Sequence, residues 1–379
     1  MHIVKKVWSF VVTGGPCSGK TTALSTIEQE LSSRGYYVLT IPETATELIP
    51  NGIRPFGDSL SILDFQYVVF SKQLFKEELY HKVAKIIPHD KIVIIFDRGL
   101  MDNKSYITEN EFAKILSDFG MTETQVQDRY DAVFHLVTAA NGAEDYYTLD
   151  NNMARTETAE EARRLDKLGI ANWTGHNHLR IIDNSTDFQK KIRRLMNQVY
   201  FSLGEPTPLE IERKYLIEKP SIEDLASHAD ITVVDIFQTY LESANPFIER
   251  RIRARGQNGS YSYFLSEKDT TFGLSRVKLE KKISEEEYGR FLGERNLQIT
   301  PISKERVCFV YKGQYFEIDI FNFMYPDLRG KPSCNKALLE IELTSANDTV
   351  TLPDFIKVIK EVTDDPYYRN YNLAVTQSL

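Results

Sequence analysis

The sequence predicts two units in series: an α/β unit on a parallel five-stranded sheet, then an α+β unit whose antiparallel strands curl into a barrel. Three observations carry this. Up to about residue 203, short apolar runs alternate with stretches of helical periodicity. Gly204-Glu205-Pro206-Thr207-Pro208 then breaks helix continuity with two prolines and a glycine. Beyond it come short strands in which charged and apolar residues alternate, and few helices. At 379 residues the chain exceeds a usual single domain. The boundaries read as 1–203, a linker at 204–209, and 210–379.

In order, Val7 to Val12 is an apolar run ending at a glycine-rich loop, the pattern of a buried parallel strand. Ala23, Leu24, Ile27 and Leu31 then recur at helical spacing, with Gly35 as a stop. Tyr37 to Ile41 is a second strand, and Leu60 to Ile87 a long helix. Ile92 to Phe96 is a third strand that delivers Asp97-Arg98-Gly99 at its end. Ala132 to Val137 and Leu179 to Ile182 complete the five, and a helix from about Thr186 to Leu203 closes the unit.

The net charge of −8 argues against nucleic acid as the main partner. Three widely spaced cysteines form neither a disulfide framework nor a zinc pattern, so the expected compartment is the reducing cytoplasm. His135, His176 and His178 have no recognisable metal spacing and read as structural or surface residues. No run is long enough to span a bilayer, so membrane contact is expected to be peripheral.

The loop Gly14-Gly15-Pro16-Cys17-Ser18-Gly19-Lys20-Thr21, followed by Thr22, fits G-x-x-x-x-G-K-[ST] between a strand and a helix. Its amides would form an anion nest for nucleotide phosphates. Lys20 would reach the β- and γ-phosphates, and the Thr21 hydroxyl would hold Mg²⁺. Asp97 ends an apolar strand where a second Mg²⁺-holding acid is expected, a helix N-cap being the other reading. Glu43 ends the second strand and is either a base or substrate-binding carboxylate or a cap. Arg155 and Arg163 flank a helical segment suited to a lid over the γ-phosphate, against the alternative of a solvated charged helix. Residues 5 to 203 resemble the AAA_28 family of P-loop proteins, through Gly14–Thr22, Pro42–Ala45, Asp97–Gly99 and Arg155–Arg163 running on to Trp173 and Asn184. The resemblance implies a kinase-like core that binds ATP or GTP with Mg²⁺. No N-K-x-D sequence occurs, which leaves the base open.

Side chains two apart on a strand share a face. On that rule Glu210, Glu212 and Lys214 point one way, as do Arg251, Arg253 and Arg255. Glu317 and Asp319, and Glu340 and Glu342, alternate with apolar neighbours. A half-exposed sheet explains any one such strand. Four together suggest a polar tunnel, its acids holding Mg²⁺ or Mn²⁺ and its bases gripping phosphate. This resembles the CYTH, or triphosphate tunnel metalloenzyme, superfamily, with E-x-E-x-K intact at Glu210, Glu212 and Lys214. The resemblance extends through Arg251, Arg253, Lys268, Glu280, Arg306, Glu317, Asp319, Glu340 and Glu342. It departs at Lys278-Leu279-Glu280, where family members often carry E-x-E, and that shifts the balance towards anion binding. The domain order resembles the TRP-channel translocation-defect family, which implies GTP binding and recognition of a phosphoinositide-type headgroup. Three functions follow as expectations: a slow NTPase whose tunnel binds a phosphorylated small molecule or lipid headgroup, a kinase fused to a triphosphatase, or a membrane adaptor without catalysis.

Overall fold

A computed structural model describes residues 5–144, 158–205, 211–269, 276–322, 325–326, 332–333, 335–344 and 348–376. By its contacts the chain divides into two compact units, Met1–Leu203 and Gly204–Leu379.

The first unit carries β1 (Lys6–Thr13), β2 (Tyr37–Ile41), β3 (Lys91–Asp97), β4 (Ala132–Leu136) and β5 (Leu179–Ile182). They form one sheet in the order β2-β3-β1-β4-β5, and every neighbouring pair is parallel. A parallel sheet needs both faces covered, which is why its strands read as continuous apolar runs. On one face Phe10, Val12, Val93, Ile95, Phe134 and Leu136 pack against α1 (Lys20–Ser33) and α7 (Phe188–Leu203). The remaining helices are α2 (Thr44–Leu48), α3 (Ile62–Ile86), α4 (Glu109–Asp118), α5 (Glu123–Gln127) and α6 (Ala159–Trp173). Their starts are chemically marked: Ser61, Thr108, Thr122 and Thr158 each accept a backbone N–H two or three residues into the helix. The short helices α2, α4 and α5, and a 3₁₀ turn at Leu100–Tyr106, add to the sequence expectation. β1 is central and its neighbours lead away on both sides, so its C-terminal loop opens into the crevice where open α/β sheets bind ligands.

The second unit carries β6 (Ile211–Glu218), α8 (Ile222–His228), β7 (Ile231–Tyr240), β8 (Ile248–Gln257), β9 (Ser260–Asp269), β10 (Arg276–Ile283) and α9 (Glu285–Leu292). β11 (Ile302–Tyr311), β12 (Gln314–Phe321), β13 (Tyr325–Pro326), β14 (Pro332–Ser333), β15 (Lys336–Leu343), β16 (Val358–Glu361) and α10 (Asn370–Thr376) follow. Nine strands form an antiparallel sheet ordered β10-β9-β8-β7-β11-β12-β15-β6-β16. Asn258 and Gly259 link β8 to β9 with φ of 51° and 80°, the left-handed pair that a two-residue hairpin requires. One face is apolar, with Tyr215, Ile217, Val307, Phe309, Phe316, Ile318, Leu339 and Ile341 buried together. Between them on the strands, Glu317 and Glu340 carry charge, whereas Leu216 and Cys308 are uncharged. No helix among the described residues is long and apolar enough to cross a membrane.

Candidate functional site

The glycine loop leaves β1 and enters α1. Gly14 has φ of 142°, and a Cβ there would lie 2.1 Å from the Leu136 carbonyl oxygen, so no other residue fits. Lys20 folds back over the loop, its Nζ donating to the carbonyls of Gly14 (2.8 Å) and Gly15 (3.1 Å). Burial, with Arg98 adding to it, lowers the Lys20 pKa to about 8, against the pull of Asp97, Glu43 and Asp102.

Pro16 to Thr22 line a cavity of about 780 Å³ whose other walls come from α2, α3, the end of β3 and the 3₁₀ turn. Lys20, Thr21, Glu43 and Asp97 all reach it, as do Arg98 and Asp102. The Asp97 Oδ1 is buried and makes no hydrogen bond. Burial raises the Asp97 carboxyl above its ordinary range, with Glu43 and Asp102 reinforcing the rise and Lys20 and Arg98 opposing it. An orphaned carboxylate oxygen on a residue that lines the same cavity as Thr21 fits Mg²⁺, which takes one or two protein oxygens and fills its shell with phosphate and water.

Arg98, to which the sequence assigned no role, has a left-handed backbone with φ of 67°, as does Cys17 in the glycine loop with φ of 56°. The Arg98 N–H donates to the Val12 carbonyl (3.1 Å), and its carbonyl accepts from Gln73 Nε2 (3.1 Å). Such backbone persists only where the surroundings over-determine it. Its Nε pairs with Glu43 Oε1 at 2.7 Å. Burial alone would raise the Glu43 carboxyl, but the charges of Arg98 and Lys20 outweigh it and hold it below the usual range.

A second buried network lies behind the loop. Asp166 on α6 uses one oxygen, Oδ1, to accept from Gly15 N (2.9 Å), Thr138 N (3.1 Å) and His135 Nε2 (3.1 Å). Lys191 on α7 donates from Nζ to Ser18 O (3.2 Å), Val137 O (2.7 Å) and Asn184 Oδ1 (2.7 Å). Arg163, expected over the γ-phosphate, donates from Nη1 to Ala140 O at 2.8 Å and does not line the cavity. Arg155 lies outside the described residues.

In the second unit the expected charged face is assembled strand by strand. Arg306 stands opposite Asp319, Glu317 opposite Glu340, Glu340 opposite Lys214, and Glu342 opposite Glu212. The carboxylates are committed to bases. Asp319 takes Arg306 at both oxygens and Lys304 as well, Glu317 takes Arg306, and Glu340 takes Lys214 (2.8 Å) and Arg306 (3.2 Å). Arg306 and Lys304 keep Asp319 far below the ordinary carboxylate range despite its burial. Among the described residues no three acids, histidines or cysteines are grouped to hold a metal. Glu210 and the Lys278 side chain lie outside the described residues, although the β9–β10 register shifts between Val277 and Leu279. Glu212 lies 3.6 Å from Lys214. Lys268 is half-buried opposite Glu249.

The bases on β8 are less satisfied. Arg253 meets Glu280 at 2.6 Å, yet its Nε, that of Arg251, and the Ser266 hydroxyl are buried without a hydrogen bond. Burial, then the like charges of Arg251, Arg255 and Arg306, lower the Arg253 pKa.

Residues 9–191 match the AAA_28 family, described as an AAA domain. No curated protein matches the chain. Among solved structures, that of the inorganic triphosphatase NE1496 is similar at 24% identity, covering 44% of this chain and 94% of that one, with a TM-score of 0.31. The PH1819 protein from Pyrococcus horikoshii OT3 is similar at 18% identity, covering 36% and 81%, with a TM-score of 0.27.

Proposed function

We propose that the first unit binds ATP or GTP with Mg²⁺ and transfers its terminal phosphoryl group, slowly to water when no other acceptor is present. The observation that carries this is the convergence of Lys20, Thr21 and the orphaned Asp97 oxygen on one cavity at the end of β1. Asp97 and Thr21 would hold the metal, which when bound offsets phosphate charge. The loop amides and Lys20 would cradle the phosphates. A triphosphate restores full charge to Lys20, replacing the loop carbonyls with stronger partners.

The second unit, in this reading, binds a phosphorylated anion by charge alone. Support comes from the crowded β8 arginines with unspent N–H groups, since phosphate oxygens match the planar donor fork of arginine. A free polyphosphate, a nucleoside triphosphate and a phosphoinositide-type headgroup share this chemistry.

A phosphate-release screen over nucleoside triphosphates and tripolyphosphate, with Mg²⁺ or Mn²⁺, tests both halves. Nucleotide turnover that disappears in Lys20→Ala, with tripolyphosphate bound but not cleaved, is the expected result. Cleavage of tripolyphosphate lost in Glu212→Ala would replace the binding role with a metal-dependent triphosphatase. Binding to phosphoinositide vesicles but not to tripolyphosphate would identify the lipid as the source.

A further inference from the structure

The longest helix of the first unit leaves an apolar stripe uncovered. On α3, Phe75, Leu79, Val83 and Ile86 are 65%, 43%, 36% and 80% exposed. At 3.6 residues per turn they fall within an arc of about 80°. Together they leave about 400 Å² of apolar surface, a patch of the size that is often functional. Glu78 and Lys82 border the stripe one turn apart. Both are exposed, and among the described residues neither makes a salt bridge within the chain. The sheet edge beside α3 is unguarded as well. β2 is an edge strand, and Tyr37-Val38-Leu39-Thr40-Ile41 holds no charge, proline or bulge, the usual guards of an edge. The helix runs along that strand. Lys76 Nζ donates to the Pro42 carbonyl (2.7 Å) just beyond one end of β2, and the His89 ring lies 5.9 Å from that of Tyr37 at the other.

We infer that this face joins two copies of the chain, which pack their α3 helices antiparallel about a two-fold axis near residue 80. The occupant is read from self-complementarity, since a two-fold contact pairs a surface with itself. One axis satisfies three pairs at once. It sets Phe75 of one copy beside Ile86 of the other, Leu79 beside Val83, and Glu78 beside Lys82, and each pair occurs twice. The second copy thus supplies the opposite charge that neither Glu78 nor Lys82 meets within its own chain. The area agrees. An interface of standard size removes about 800 Å² from each partner, a little over half of it apolar. The stripe provides about that apolar share, and the stems and heads of Glu78 and Lys82 begin the polar remainder. A copy seated there also lies alongside β2 and shields its edge from further pairing.

The test is the mass of the full chain in solution, by light scattering behind size exclusion, at about 1 to 100 µM, where even a weak interface of standard size associates. The expected result is twice the 43.7 kDa of one chain, falling to the single-chain mass in Ile86→Glu, which sets a carboxylate in the stripe. Tryptophan-fluorescence melting establishes that each variant is folded, and Phe75→Glu gives a second, independent break. Glu78→Lys and Lys82→Glu each bring like charges together twice and should weaken the dimer about tenfold. The double reversal restores both pairs and should return the dissociation constant to within about threefold of wild type. A wild type that stays monomeric throughout overturns the inference, whatever else covers the stripe. A dimer that survives both Ile86→Glu and Phe75→Glu uses another face and overturns it too. Loss of the dimer in Ile86→Glu, with no rescue by the double reversal, overturns the antiparallel two-fold arrangement.

Discussion

Asp166→Ala should loosen the first unit at its nucleotide loop. A single carboxylate oxygen accepts from two backbone amides and a histidine, all buried, and each stranded donor costs about 1–3 kcal/mol. Loop relaxation recovers part of this, so the net loss should be about 3–5 kcal/mol, as for breaking other buried ionic networks. Each kcal/mol shifts the melting temperature of a unit this size by about 2–4 °C, which puts the expected drop near 10 °C. Asp166→Asn keeps the accepting oxygen and should lose only about 1–2 kcal/mol, the difference between a charged and a neutral acceptor. Both tryptophans, Trp8 and Trp173, lie in the first unit, so urea unfolding followed by tryptophan fluorescence reports this unit alone. An Asp166→Ala variant within about 0.5 kcal/mol of wild type, at the noise of surface substitutions, would refute the reasoning.

Three further outcomes follow from the same site. Gly14→Ala forces a Cβ to 2.1 Å from the Leu136 carbonyl and should abolish nucleotide binding in a fluorescence titration, even where the chain still folds. Burial lowers the Lys191 pKa to about 8 from an ordinary 10.5. Between those values the unfolded chain binds more protons, so this group's contribution rises with pH there and is flat below it. Urea midpoints at stepped pH should therefore show wild type gaining on Lys191→Met above pH 8, by at most about 1.4 kcal/mol per pH unit. Burial pushes the Cys308 thiol up to about 12, whereas Cys17 lines the nucleotide cavity. Alkylation under native conditions, read by peptide mass spectrometry, should spare Cys308 and modify Cys17, and nucleotide should protect Cys17.

The fold was legible where one segment speaks for itself. Continuous apolar runs such as Ile92–Phe96 leave a buried parallel strand as their natural place. The short helices α4 and α5 were not read, although Thr108-x-x-Glu111 and Thr122-x-x-Gln125 form capping boxes that mark their starts. The glycine loop was legible because its chemistry is contiguous. Arg98, Asp166 and Lys191 were not, because each acts on a partner tens to hundreds of positions away. Strand alternation put Glu317, Asp319 and Glu340 on one face but could not say what they meet there. That depends on Arg306, Lys304 and Lys214, which neighbouring strands bring opposite them.

Isothermal titration of wild type and Lys20→Ala with Mg²⁺-ATP and Mg²⁺-GTP tests the central claim most directly. Wild type should bind at least one of them at a single site, and Lys20→Ala should weaken it by about a hundredfold or more, the loss of one buried charge-assisted contact. Equal affinity in the two proteins, or no heat with either nucleotide, would contradict a phosphate-cradling loop at the end of β1.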